Sequence, residues 1–184
     1  LLSCYSIPTP PTILARSAEE AAAAATNIGF PVVVKLHSET ITHKTDVGGV
    51  KLNLHSPAQV CEAFNEMQQG VNETDFLGVT VQPMFDTADS FELIIGSSLD
   101  SQFGPVMLFG TGGTLVEVFN DKSLALPPLN SNLAHLMMKN TKIYKALKGV
   151  RGRKSADIPA IEKLIVNFSH LIMDKWMFIK EVEM

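Results

Sequence analysis

An alanine-rich run, Ala21 to Ala25, is broken by Gly29 and Pro31 and followed at once by Val32-Val33-Val34-Lys35-Leu36. Alanine has the highest helix propensity, glycine frees the backbone to end a helix, and proline forbids its continuation. The β-branched run that follows has nowhere to go but a strand, so the chain must turn a helix back onto a buried strand within a few residues. Ser17 with Glu20 forms a capping box at the start of that helix. Before it, the prolines between Tyr5 and Pro11 exclude a helix and suit an extended segment.

Residues 37 to 49 are polar and close on Gly48-Gly49, and Val50-Lys51-Leu52-Asn53-Leu54 alternates as a second strand, so a hairpin is expected. Ser56-Pro57 opens a helix with Val60, Phe64 and Met67 on one face, and Leu77 to Met84 reads as a strand that leaves its sheet near Pro83. From Phe91 strands dominate: Glu92 to Gly96, Pro105 to Phe109 and Leu115 to Val118, the last two joined by Gly110-Thr111-Gly112-Gly113-Thr114. After Pro127-Pro128 the pattern is helical around Leu133 to Met138, Ile143 to Leu147 and Ile158 to Met173, and Phe178 to Met184 returns to a strand. Strands and helices do not alternate as in a doubly wound sheet. The expected class is therefore α+β in two lobes, a small one over 20–84 and a larger one from 1–19 with 85–184.

A chain of 184 residues with 46% hydrophobic side chains can bury a sizeable core, and its net charge of −4 argues against a nucleic-acid backbone as partner. No apolar run approaches the roughly 20 residues that span a bilayer, so a soluble protein with no membrane partner is expected. Cys4 and Cys61 have no metal-ligand spacing and read as reduced packing residues of a cytoplasmic protein. The abrupt start without Met and the strand pattern that stops at Met184 suggest a piece of a longer polypeptide.

Lys35 stands in an otherwise apolar strand, where it must either meet an anion or snorkel to the surface. In His43-Lys44-Thr45-Asp46-Val47-Gly48-Gly49, glycines could let backbone amides approach phosphate oxygens, and a histidine could accept a phosphoryl group or move a proton. The same loop could equally be a solvated hairpin tip. Glu92 and Glu117 are acids expected inside strands, able to hold Mg²⁺ among phosphates or to face solvent. Residue spacing alone leaves each pair of readings open.

Taken together, the ordered blocks Gly29 to Lys35, His43 to Val50, Val81-Gln82-Pro83-Met84, Gln102 to Pro105, Phe109 to Gly113 and Val116-Glu117-Val118 resemble the ATP-grasp domain of ADP-forming acyl-CoA synthetases. The resemblance covers nearly the whole chain. It implies an ATP-grasp fold of two α+β lobes with a nucleotide cleft between them, binding ATP or ADP with Mg²⁺. Lys35 and Lys44 would meet the phosphates, Gly48 and Gly49 would close over them, and Gln82 to Met84 would form the hinge that holds adenine. Glu92, Gly112 and Gly113 would join the nucleotide site, and Glu117 would hold the metal. His43 matches the histidine that carries a transient phosphoryl group, and Glu183 falls where a carboxylate steadies a phosphohistidine.

The stretches Leu36 to Lys44 and Ile143 to Arg153 are similar to the subgroup fused to a GNAT-type lysine acetyltransferase. Ser97-Ser98-Leu99 and Ala125 depart from the pattern, replacing residues that are often basic. Two functions follow from the likeness. One is the nucleotide half of an acid-thiol ligase that forms acyl-CoA from carboxylate, CoA and ATP through a phosphohistidine relay. The other is a non-catalytic module that senses nucleotide or acyl-CoA and regulates a fused acetyltransferase. Either implies a coenzyme A-binding domain or subunit as partner and an oligomeric full-length protein. The family's Asn-Pro pair and later metal-holding acid would fall beyond Met184, so this piece by itself is expected to bind ATP weakly and to be inactive.

Overall fold

The computed structural model describes residues 1–113, 120–150 and 152–184. The chain forms two compact units, 10–86 and 1–9 with 87–184. Each is built on its own four-stranded antiparallel sheet.

In the unit 10–86, β1 (Ile13–Ala15), β2 (Val32–Leu36), β3 (Val50–Leu54) and β4 (Val79–Pro83) lie in the order β1-β4-β2-β3. Helix α1 (Ala18–Ile28) begins where the sequence placed it: Ser17 Oγ accepts the Glu20 N–H at 3.2 Å, while the Glu20 carboxylate reaches back to the Arg16 N–H at 2.7 Å. Helix α2 (Pro57–Gly70) is capped by Ser56 in the same way. Ala21, Ala24 and Ala25 of α1 and Val60, Phe64 and Met67 of α2 bury themselves against Ala15, Val32, Val34, Leu36, Val79 and Val81. The alanines let α1 approach closely, and Phe64 meets Phe76 edge-on with ring centroids 5.2 Å apart.

The segment 10–19, expected in the larger lobe, belongs here because Ile13, Leu14 and Ala15 pair with Val81, Thr80 and Val79. A three-residue edge strand after a proline run carries too little pattern to be read from sequence. Strand β3 has the expected bounds, yet its side chains do not alternate between buried and exposed, because it is the outer strand of the sheet. The loop before it also contains a 3-10 turn, Lys44–Val47, that its polar composition concealed.

In the second unit, β5 (Leu93–Asp100), β6 (Gly104–Thr111), β7 (Lys122–Ala125) and β8 (Glu181–Glu183) lie in the order β7-β6-β5-β8. Helices α3 (Ser131–Lys139), α4 (Ile143–Leu147) and α5 (Ile158–Lys175) follow the expected periodicity. Their Met137, Met138, Leu147, Ile165, Phe168, Leu171 and Ile172 pack with Ile95, Met107 and Phe109. The buried Ser169 hydroxyl accepts the Leu129 N–H at 2.7 Å, anchoring the Pro127-Pro128 segment to α5.

Three expectations are corrected here. Glu92 lies just before β5 rather than inside it, the final strand is confined to Glu181–Glu183, and Cys4 is exposed rather than packed. The expected strand Leu115 to Val118, with Glu117, falls outside the described residues. Among those described, no helix is long and apolar enough to cross a membrane.

Phe168 is fully buried. Truncating Phe168 to Ala should lower unfolding stability by about 3–5 kcal/mol in urea titrations, the loss typical of an aromatic removed from a packed core.

Candidate functional site

Helices cover one face of the first sheet, and the register defines what the other face carries. Leu14 pairs with Thr80, Thr80 with Lys35, and Lys35 with Val50, forming one row across four strands. Val33 pairs with Gln82 one step along, and the Gln82 amide donates to the Thr12 hydroxyl at 2.8 Å. On β2, Val32, Val34 and Leu36 point to the helices, which leaves Lys35 on the opposite face, half-buried. No carboxylate among the described residues lies within ion-pair reach of its ammonium. A half-desolvated cation with polar neighbours and no counter-ion is a ready anion site.

The glycine loop ends beside that lysine: the Leu36 N–H donates to the Gly49 carbonyl at 2.8 Å. Gly48 takes a left-handed conformation at φ 68°, which a side chain would strain. Gly49 answers a different demand, since a Cβ there would lie 2.9 Å from both Leu36 Cβ and the Lys44 carbonyl oxygen. The amides of Asp46, Gly48 and Gly49 donate to the carbonyls of His43, Thr45 and Lys44 within the loop. In this conformation both glycines serve the loop's own geometry, and their N–H groups are engaged within it. His43 is exposed at the head of the 3-10 turn, and Lys44 is half-buried behind it.

At the expected hinge, Gln82 is committed through its side chain to Thr12, and the Met84 N–H donates to the Pro31 carbonyl at 3.0 Å. Met84 therefore cannot offer its amide to a base without giving up that bond.

In the other unit, Gly112 and Gly113 fold against the start of β5. The Gly112 N–H donates to the Glu92 carbonyl at 2.8 Å, and a Cβ on Gly112 would sit 2.9 Å from the Leu93 backbone. Gly113, at φ 85°, lies so near the Glu92 carboxylate that a side chain would collide with it. Glu92, exposed, lines a cavity of about 330 Å³ with Ser90, Thr111, Gly112, Ile143 and Arg153. The Arg153 guanidinium stands 5.6 Å from the Phe91 ring centre, so cation and carboxylate border the same hollow. Glu183 lies opposite Gly96 on β8 and lines a neighbouring hollow of about 170 Å³ with Thr111, Asp121 and Lys122. His43 and Glu183 belong to different units.

One residue escaped the sequence reading. Asp121 accepts the amides of Lys142 and Ile143 at 2.6 and 2.7 Å and the Thr111 hydroxyl at 2.9 Å. Burial pushes its carboxyl up. The Lys142 and Ile143 amides, the Thr111 hydroxyl and the Lys142 charge outweigh it and hold the group below its usual 3.8. Its partners are remote in sequence, so no local pattern announces it.

The profile of the ATP-grasp domain family matches residues 1–184. The chain is 42% identical over 178 residues to the acetate–CoA ligase [ADP-forming] I of Archaeoglobus fulgidus, covering 95% of this chain and 26% of that protein. It is 36% identical to the beta subunit of acetate–CoA ligase [ADP-forming] I of Pyrococcus furiosus, covering 95% of this chain and 76% of that one. Among solved structures, it is similar to the dinucleotide forming acetyl-coenzyme A synthetase 1 of Ca. Korarchaeum cryptofilum in complex with coenzyme A, Ca-AMPCP and HgCl+. There the TM-score is 0.92 and the identity 39%, over 99% of this chain and 80% of that one. A complex of the same synthetase with coenzyme A and Mg-AMPPCP, its phosphohistidine segment pointing towards the nucleotide binding site, matches with TM-score 0.86 and 38% identity, over 99% of this chain and 78% of that one. The chain therefore belongs to the ATP-grasp domain family, and within it to the domains of ADP-forming acetyl-CoA synthetases.

Because the native state holds the Asp121 proton less tightly than the unfolded chain, its contribution to stability is present above pH 3.8 and is lost as pH falls through the lower, folded value. Thermal melts of Asp121→Asn should show a shallower fall below that pH than the parent chain.

Proposed function

We propose that this chain is the nucleotide-binding part of an acid-thiol ligase that interconverts carboxylate, CoA and ATP with acyl-CoA, ADP and phosphate. The observation that carries the reading is Lys35, a half-buried cation with no carboxylate among the described residues in ion-pair reach, one residue from the strand position that anchors the Gly48-Gly49 loop. Polyphosphate is the anion that such a pairing of ammonium and adjustable loop suits best.

Lys35 would neutralise the nucleotide's phosphates, with Lys44 behind the loop adding charge. Gly48 and Gly49 would lend amides only after the loop releases its internal hydrogen bonds. Gln82 and Met84 would border the base, Met84 through its carbonyl, since its amide is engaged with Pro31. Gly112 and Gly113 keep the Glu92 carboxylate at the edge of a polar hollow. Magnesium binds proteins through one or two carboxylates plus phosphate oxygens, and an exposed Glu92 fits that donor set. Glu92 would hold it with Glu117, which lies outside the described residues. When bound, the metal supplies charge neutralisation of the polyphosphate.

His43, exposed at the loop's head, would take the γ-phosphoryl group. A nitrogen–phosphorus bond forms as the bond from the γ-phosphorus to its bridging oxygen breaks, and ADP departs. Glu183 would steady the phosphorylated ring. A coenzyme A-binding domain or subunit would complete the reaction, as part of an oligomeric protein. The relatives reported above bear ligase or synthetase names, so the synthetase reading is preferred to a sensing module fused to an acetyltransferase.

Incubating the full-length protein with γ-labelled ATP should give an acid-labile, base-stable label that His43→Ala abolishes; equal labelling of the variant would overturn the relay. Lys35→Met should weaken Mg-ATP binding by roughly tenfold to a hundredfold in calorimetry, the worth of one charge-assisted hydrogen bond. The chain alone should bind Mg-ATP weakly, and submicromolar affinity would contradict this.

A further inference from the structure

The glycine pair and Glu92 are held in place by something, and the contacts lead back to Asp121. Its carboxylate receives the Thr111 hydroxyl at 2.9 Å, and its own carbonyl receives the Thr111 N–H at 3.0 Å. Thr111 is therefore gripped through both side chain and backbone. Gly110 beside it has no room for a side chain, because a Cβ there would overlap the Asp121 carbonyl. The next residue, Gly112, donates to Glu92, and Gly113 flanks the Glu92 carboxylate.

The other side of the carboxylate is fixed by the amides of Lys142 and Ile143, where α4 begins. Ile143 and Thr111 both line the hollow that Glu92 borders. One side chain thus joins two walls of that hollow, the end of β6 and the start of α4.

We propose that Asp121 is a positioning residue for the metal-nucleotide site: through Thr111 it sets the Gly112-Gly113 turn, and so the Glu92 carboxylate, relative to the start of α4. This rests on the nucleotide reading above. A bond received from two backbone amides holds the acid rigidly, and the hydroxyl it accepts transmits that rigidity to the turn. The alternative is an acid that merely caps a short helix.

The two roles separate by substitution. Thr111→Val removes the hydroxyl and leaves both amide bonds to Asp121 intact, whereas Asp121→Asn turns one acceptor oxygen into a donor NH2 and so removes at least one of the backbone-amide bonds along with the charge. Mg-ATP affinity of the full-length protein would be measured for both single variants and the double variant, well below their melting temperatures, with Glu92→Gln as reference. Thr111→Val is expected to weaken Mg-ATP binding about fivefold or more with little change in melting temperature. Asp121→Asn is expected to weaken it at least as much, and the double variant no further than Asp121→Asn alone, as for one shared path.

Unchanged Mg-ATP affinity in Thr111→Val and Asp121→Asn, beside a Glu92→Gln variant that binds poorly, overturns the positioning role and leaves only capping. An additive loss in the double variant overturns the shared path in the same way. A parent protein that binds no Mg-ATP overturns the nucleotide reading itself, which is a distinct result.

Discussion

Each unit rests on an antiparallel sheet covered by helices on one face, and that one-sidedness governs where chemistry can occur. A strand facing a helix layer must be apolar at alternate positions, while its other positions are released from that demand. On β2 four aliphatic residues are buried, Val32, Val33, Val34 and Leu36, and Lys35 alone is half-buried. Val32, Val34 and Leu36, packed toward the helices, fix the backbone that carries Lys35, and no carboxylate among the described residues lies within ion-pair reach of its ammonium. A fully wrapped sheet would have had to neutralise or exclude it.

The glycine loop shows how one short segment meets several constraints at once. Gly49 lets the backbone pass against Leu36, and Gly48 makes the left-handed turn that brings β3 back alongside β2. The same residues have their amides engaged within the loop. A conformation that is closed on itself and one that grips phosphate would differ by only a few backbone hydrogen bonds, each worth about 1 kcal/mol net. Such a balance suits the loop proposed above to open and close over a nucleotide.

The sequence made the pattern-rich elements legible. The bounds of β2, β3 and α4 could be read directly, and the buried faces of α2 and α5 follow from residue spacing. The strands β1 and β7 could not, since both are short outer strands with exposed Leu14 and Leu124, and their place is set by partners distant in sequence. Glu92 reads as a strand residue because its neighbours Leu93 to Ile95 are apolar; the glycine pair it packs against ends the ladder one residue later. Lys35 was visible as a lone charge in an apolar run. Asp121 was not, because an acid before a strand looks like any solvated turn until the chain brings the start of a helix to it.

The unit 10–86 is an insertion in the chain of the other, and its first and last strands, β1 and β4, run side by side. Chain enters and leaves it through neighbouring antiparallel strands, so its two junctions, near Pro10 and Asp86, lie at the same end of that strand pair. A module attached in this way is exchangeable: a different lobe with adjacent termini could be grafted between Thr9 and Thr87 without rerouting the backbone of its host. The fold thereby separates inheritance of the lysine-bearing sheet from inheritance of the unit that carries Glu92, Asp121 and Glu183.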